Sequence, residues 1–130
     1  MMEKRTKLIL LTHGSWGEEL WKAGEMIVGR IRFCKALGLM PEDAVADYRV
    51  RLEKELEGET KVLILADIKG GTPSNVAAVY AKRTEHIQAL CGLSLEMLLA
   101  ADRLRNEYSG RALAGKIVEE MKEKLTDLKE

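Results

Sequence analysis

The sequence is poor in cysteine, proline and aromatic residues, and it has no excess of charge of either sign. Its 130 residues include 2 cysteines, 2 prolines and 5% aromatic residues, while 21 basic side chains balance 21 acidic ones. This balance argues against a nucleic-acid-binding protein, which would present a basic surface. Cys34 and Cys91 form no C-x-x-C motif, so we expect a reduced, cytoplasmic protein. The 2 histidines and the absence of clustered acids give little support to a metal site, and we expect no cofactor.

Long hydrophobic runs are also missing. No apolar segment approaches the roughly 20 residues that a membrane-spanning helix needs, and the first residues do not resemble a signal peptide. We therefore expect contact with a membrane only indirectly, through other proteins. A chain of 130 residues that is 46% hydrophobic and 32% charged can bury a core. Its length predicts a single domain over residues 1–130.

Two continuous apolar segments mark the centre of a predicted sheet. Residues 8–12 and 61–67 have the composition of strands that are buried on both faces. A half-polar strand is expected at 30–37, at an edge, and a shorter one at 86–92. Helical patterns separate these strands, which predicts an α/β fold. The expected architecture is a doubly wound, mainly parallel four-stranded sheet, with strand order 2-1-3-4 and helices on both faces.

Glycine, proline and acidic residues set the expected ends of the helices. The first helix is expected to stop at Gly29 and the second to open at Pro41. Thr72 is expected to cap the third helix, with a proline at its first position. The last helix is expected to be amphipathic and to extend from Leu113 to Leu128.

Each of the two central strands ends on a titratable side chain. His13 follows the first strand, and Asp67 ends the third. In open α/β sheets, ligands bind outside the carboxyl ends of the strands, where the winding reverses. Strands 1 and 3 flank that point in the predicted order. We therefore expect His13 and Asp67 to lie together in one site.

The segment "KGGTPSN" supplies the other half of the predicted site. Gly70 and Gly71 allow a ligand to approach the backbone closely. The helix that starts at Thr72 offers unpaired N–H groups and the positive end of a helix dipole, which favour an anion. A phosphorylated histidine would use the imidazole, the carboxylate and this helix start together.

Simpler explanations exist for each residue alone. A histidine after a strand is often a packing or turn residue, an aspartate a cap, and a Gly-Gly pair an ordinary turn. Their convergence at one end of the sheet favours a functional site. His86 has no such neighbours and is assigned to a turn or strand start. Ser15 is too close in sequence to His13 for a hydrolase triad, and no phosphate-binding motif of nucleotide-binding enzymes occurs.

Three segments together resemble the IIA component of the mannose-type (mannose/fructose/sorbose) sugar phosphotransferase system. "THGSWGEEL" is similar to the segment of that family that contains the phosphoryl-accepting histidine. "LADIKGGTPSN" and "ALCGLSLEMLL" are similar to the second and third segments of the family. The three occur in the family's order and at its usual separations, over nearly the whole chain.

The resemblance implies a phosphocarrier within a homodimeric α/β protein, without metal or cofactor. His13 would accept a phosphoryl group from the histidine phosphocarrier protein and pass it to a IIB component for sugar uptake and phosphorylation. Asp67 would be its hydrogen-bond partner, and Thr72 would supply a hydroxyl beside the phosphate. The remaining phosphate-binding residues would be Gly14, Gly70, Gly71, Ser74 and Asn75. The residues at the rim of the pocket would be Thr12, Ser15 and Lys69.

The sequence departs from the family pattern at three places. Lys69 replaces a large apolar residue, Glu19 replaces a small one, and the chain ends in a predicted helix where some members continue into a strand. These departures affect partner choice and dimer construction rather than the chemistry. The alternatives are a phosphotransfer subunit of a dihydroxyacetone kinase and a regulatory phosphohistidine module.

Overall fold

The structure, a computed structural model, describes residues 5–130. Its centre is a four-stranded parallel sheet in the order β2-β1-β3-β4. The strands, in chain order, are β1 (Lys7–His13), β2 (Cys34–Leu39), β3 (Val62–Ala66) and β4 (Ile87–Cys91). The predicted fold class, strand order and edge position of β2 are therefore confirmed.

Five helices cover the two faces of the sheet. They are α1 (Trp16–Val28), α2 (Val45–Leu56), α3 (Thr72–Arg83), α4 (Leu95–Leu104) and α5 (Gly110–Met121). The hydrophobic core has two halves, one on each face of the sheet. One half lies between the sheet and α1, α4 and α5, and the other lies between the sheet and α2 and α3. Between residues 5 and 130, no helix combines the length and apolar character needed to cross a membrane.

Strand β1 contributes to both halves of the core because its side chains alternate between the two faces of the sheet. Leu8 and Leu10 belong to the α1/α4/α5 half, whereas Ile9 and Leu11 belong to the α2/α3 half. His13 continues the second set, which places it on the α2/α3 side at the carboxyl end of the strand. Leu11 pairs with Ala66, the last residue of β3, so Asp67, which follows that strand, comes beside the end of β1 and its His13.

Strand β2 begins later than the expected boundary at residue 30. The backbone N–H of Ile31 donates to the Glu25 carboxylate at 2.9 Å, and its carbonyl accepts from the Trp21 indole at 3.0 Å. Phe33 has a positive φ of 54°, which is incompatible with a strand. These contacts to α1 turn the chain before it enters the sheet at Cys34.

Two helix boundaries also differ from the sequence expectations. Helix α2 opens at Val45 rather than Pro41, because the Asp43 carboxylate accepts the Met40 N–H at 2.8 Å and forms a turn instead. The final helix stops at Met121. Leu125 and Leu128, which were expected on its apolar face, follow it and are 98% and 95% exposed.

Arg105 joins the starts of two strands to the segment after α4, which the sequence did not predict. Its buried guanidinium donates to the carbonyl oxygens of Thr6 and Phe33, both at 2.9 Å, and also to that of Arg32. Asp102 pairs with the same guanidinium at 2.7 Å. The amino-terminal edge of the sheet is therefore held together by one buried cation.

Candidate functional site

The two titratable residues of the predicted site are in direct contact. His13 Nδ1 lies 2.9 Å from Asp67 Oδ2, and the His13 backbone N–H donates to the same oxygen at 2.7 Å. The other oxygen of Asp67 accepts the Ile68 N–H at 2.8 Å. The side chain of Asp67 is only 7% exposed, whereas that of His13 is 50% exposed. The carboxylate thus lies beneath an imidazole that is open to solvent.

The charge of Asp67 determines which ring nitrogen of His13 faces it with a proton. Burial raises the pKa of this carboxyl more than any other single influence, but hydrogen bonds from the His13 backbone and ring and from the Ile68 N–H together outweigh it. The pKa of Asp67 therefore lies below its ordinary value, and the group is ionised at neutral pH. Because an ionised carboxylate only accepts hydrogen bonds, His13 Nδ1 carries a proton, and in the neutral ring the lone pair is on Nε2.

The start of α3 lies against the free edge of the imidazole. A Cβ atom at Gly71 would stand 2.8 Å from His13 Cε1 and 3.4 Å from Nε2. Any side chain at this position would therefore clash with the imidazole ring. Helix α3 has no acidic residue in its first turn. Its positive end and leading N–H groups are therefore close to the nitrogen that holds the lone pair.

The turn before α3 is held by its own polar side chains. The Ser74 hydroxyl donates to the Ile68 carbonyl at 2.6 Å, and the Asn75 amide donates to that of Gly70 at 3.3 Å. Gly70 has a φ of +85°, a conformation that favours glycine. The helix start differs from the expectation, because Gly71 is the N-cap and Thr72 is the first helical residue. No side chain within the described chain caps α3.

The turn that follows His13 is fixed by strand β2. Gly14 has a φ of +65°, and its N–H donates to the Leu39 carbonyl at 2.7 Å. Thr12, which was expected at the pocket rim, is buried, and its hydroxyl donates to the Gly14 carbonyl at 2.8 Å. Gly38 was missed in the sequence. A Cβ atom there would lie 2.3 Å from the Gly14 carbonyl oxygen. A glycine inside a strand often marks such a close approach of another backbone, and this pattern could have identified the residue from the sequence.

The remaining predicted residues lie at the periphery. Ser15 is exposed at the start of α1, and Lys69 is exposed in the turn after β3. His86 occupies an exposed turn before β4, as expected from the sequence. Within residues 5–130, no group of three or more His, Cys, Asp or Glu side chains is arranged to hold a metal ion.

The sequence profile of a family described as "PTS system fructose IIA component" matches residues 7–118. The chain belongs to the mannose-type EIIA family of sugar phosphotransferase systems. Members of this EIIA family are phosphotransferase components. The resemblance that the three sequence segments indicated is confirmed.

The chain is also similar to curated EIIA and EIIAB components, and the match covers a different share of each of these proteins. The chain is 30% identical over 93 residues to the sorbose-specific EIIA component of Klebsiella pneumoniae, which covers 70% of this chain and 68% of that one. It is 29% identical over 104 residues to the mannose-specific EIIAB component of Escherichia coli strain K12, over 77% of this chain. The chain thus spans about a third of that EIIAB protein, since the match covers 32% of its length.

Solved EIIA structures have the same fold. The EIIA component from Streptococcus agalactiae superposes with a TM-score of 0.89 and 27% identity, covering 95% of this chain and 98% of that one. The mannose/sorbose specific IIA subunit from Enterococcus faecalis superposes with a TM-score of 0.85 and 29% identity, covering 95% and 94%. The parallel sheet and its flanking helices are therefore those of the EIIA family.

Proposed function

We propose that this EIIA protein is a phosphocarrier that accepts a phosphoryl group on His13 Nε2. The donor would be the histidine phosphocarrier protein, and the acceptor a IIB component that serves sugar uptake. The observation that carries this proposal is the pairing of His13 Nδ1 with an ionised Asp67 at 2.9 Å, which leaves Nε2 as the ring nitrogen that would accept the phosphoryl group. The mannose- and sorbose-specific names of the relatives support the sugar-transport role.

In the proposed reaction, the Nε2 lone pair attacks the phosphorus atom of the donor phosphohistidine. The new N–P bond forms as the donor's N–P bond breaks, and the donor imidazole leaves with its electron pair. His13 keeps its Nδ1 proton, so the phosphorylated ring gains positive character that Asp67 balances. Transfer to IIB repeats the same exchange, with Nε2 as the leaving nitrogen. The step needs neither a metal ion nor a nucleotide.

The phosphoryl oxygens would lie at the start of α3. Preorganised donors of this kind stabilise phosphoryl transfer without rearranging. We assign this role to the backbone of Gly70 and Gly71 and to the Thr72 hydroxyl. Ser74 and Asn75 hold the turn in shape, while Gly14 supports the strand end that carries His13. We place Lys69 and Ser15 at the rim, where a partner protein would contact them. We also propose that residues 1–130 form a single cytoplasmic domain.

The test is a reconstituted transfer with phosphoenolpyruvate, enzyme I and the histidine phosphocarrier protein. We expect the protein to gain one acid-labile phosphoryl group, seen by mass spectrometry, and to lose it when a cognate IIB component is added. Phosphorylation without transfer to IIB would instead support the regulatory module. Transfer to a dihydroxyacetone kinase subunit, with none to IIB, would support the kinase alternative.

We also expect a homodimer, as the resemblance to the family implies. The outer edge of β4 has no strand beside it among residues 5–130, and Leu125 and Leu128 are almost fully exposed. Unpaired edges and exposed apolar side chains are surfaces that a second chain can cover. Sedimentation velocity at micromolar concentration should therefore report twice the mass of the chain. A monomer throughout the concentration range would contradict the dimer.

A further inference from the structure

Three large apolar side chains are exposed at the end of the sheet that carries His13. They are Trp16, Met40 and Ile68, and each follows the carboxyl end of a different strand. Trp16 comes after β1, Met40 after β2 and Ile68 after β3, and these strands are neighbours in the sheet. The three residues, referred to as the apolar collar, therefore flank the exposed imidazole.

Ile68 lies directly beside the imidazole. A Cβ atom at Gly71 would stand 3.0 Å from Ile68 Cγ2 and 2.8 Å from His13 Cε1, so the methyl group and the ring edge flank the same point. The Ile68 N–H donates to Asp67 Oδ1 at 2.8 Å, and the Ile68 carbonyl accepts the Ser74 hydroxyl at 2.6 Å. Because the backbone that carries this side chain is fixed at both polar groups, a contact made by Ile68 requires little further ordering.

Met40 and Trp16 lie at the turn that follows His13. The last carbonyl of β2, that of Leu39, accepts the Gly14 N–H at 2.7 Å, so Met40 starts beside this turn. The Met40 N–H is itself fixed by a carboxylate three residues further along the chain, at 2.8 Å. Trp16 is the first residue of α1, which begins two residues after Gly14. Both residues are thus held close to the strand end that carries the histidine.

Phosphoryl transfer to Nε2 requires another protein to cover this surface. In the proposed reaction the donor nitrogen, the phosphorus atom and Nε2 stand roughly in line, so the two imidazoles face each other across one phosphoryl group. A stable protein contact buries roughly 800 Å² of each partner, which places the side chains next to His13 near its centre. Central apolar contacts carry most of the binding energy, and the exclusion of water protects the N–P bond from hydrolysis.

Exposed apolar side chains also occur far from this surface. Met26 and Ile27 are exposed near the end of α1. At roughly 1.5 Å per residue, about 15 Å of helix separates Met26 from Trp16. Single exposed apolar residues are common, so exposure alone does not identify a docking surface. The collar differs because its members surround the proposed nucleophile.

We propose that the apolar collar is the docking surface for the protein that phosphorylates His13, and that this donor carries its phosphohistidine among apolar side chains. This inference rests on the function proposed above. Trp16, Met40 and Ile68 would pack against the donor's apolar side chains and separate the two imidazoles from water. Lys69, which is exposed next to Ile68, would add a charge at the edge of the contact.

The experiment measures the rate of phosphorylation of the full chain against the concentration of phosphorylated histidine phosphocarrier protein. Ile68→Gln and Met40→Gln should each raise KM at least about fivefold and leave kcat nearly unchanged, because they weaken docking rather than the chemical step. Ile27→Gln and Met26→Gln are the matched controls and should leave KM unchanged. The match is closest for the isoleucines, since Ile68 is 59% exposed and Ile27 is 60% exposed.

Two further measurements separate docking from chemistry and from charge. Phosphoramidate is a small donor that transfers its phosphoryl group to Nε2 and releases ammonia, so it needs no docking surface. Its reaction with Ile68→Gln should have the rate found for the unchanged protein, since the backbone N–H that bonds Asp67 remains. Salt screens charges but not apolar contacts, so the effect of Ile68→Gln on KM should be the same at low and high sodium chloride.

Three results would overturn the proposal. They are an unchanged KM in Ile68→Gln and Met40→Gln, an equal rise in KM in the two control variants, or slow reaction of Ile68→Gln with phosphoramidate. In each of these cases the unchanged protein is still phosphorylated by the phosphocarrier, so the proposed function stands. No phosphorylation of the unchanged protein by the phosphocarrier would instead contradict the proposed donor and, with it, this docking surface.

Discussion

His13→Ala is expected to abolish phosphoryl uptake while leaving the fold intact. The substitution removes Nε2, the nitrogen that the Asp67 hydrogen bond leaves available, so no N–P bond can form on this residue. The side chain of His13 is 50% exposed, and little packing is lost when it is shortened. Mass spectrometry after incubation with phosphoenolpyruvate, enzyme I and the histidine phosphocarrier protein measures uptake, and circular dichroism verifies folding.

His86→Ala is the matched control for this substitution. His86 lies in an exposed turn before β4, and its replacement should leave phosphoryl uptake at the level of the unchanged protein. Normal uptake by His13→Ala, or a phosphoryl group found on His86, would show that the acceptor has been misassigned.

Asp67→Asn is expected to slow phosphoryl transfer by at least about a hundredfold, or roughly 2.7 kcal/mol of barrier. The carboxylate accepts hydrogen bonds from the His13 ring, the His13 backbone and Ile68. In the proposed reaction it would also carry the charge that balances a phosphorylated imidazole. An amide of the same shape has one accepting oxygen and no charge. It can also hold the ring in the opposite tautomer by donating to Nδ1. Single-turnover transfer from the phosphorylated phosphocarrier gives the rate.

Two further variants show whether this loss is specific to Asp67. Thr72→Ala should cost less, because the backbone N–H groups at the start of α3 remain. Lys69 is exposed, so Lys69→Ala should change affinity for the partner and its salt dependence more than the rate of transfer. A slower transfer by Lys69→Ala than by Asp67→Asn would mean that the lysine, rather than the carboxylate, assists the histidine.

The centre of the fold and the core of the candidate site could be predicted because both depend on local pattern. The uninterrupted apolar residues of β1 and β3 identify strands buried on both faces, and the order of strands and helices restricts the winding. That order brings the ends of the two strands together. The contact between His13 and Asp67 then follows from sequence position alone.

The features that sequence reasoning missed depend on contacts between distant residues. The start of β2 is set by Glu25 and Trp21 of α1, which bond to the backbone of Ile31. Residue 38 in β2 must be glycine because the Gly14 carbonyl oxygen, in the turn after β1, lies where a Cβ atom would stand. The role of Arg105 requires strand starts about 70 to 100 residues away from it in the chain. No local pattern of hydrophobicity encodes such contacts.

The single outward nitrogen of His13 has a kinetic consequence for the proposed carrier. Because Asp67 is bonded to Nδ1, the proposed donor and acceptor proteins would both have to approach the imidazole from its exposed side. In the proposed function the two partners would exclude each other, and the protein would alternate between a phosphorylated and an unphosphorylated form in ping-pong fashion. A donor protein that has already given up its phosphoryl group would then compete for the same face and slow the next phosphorylation.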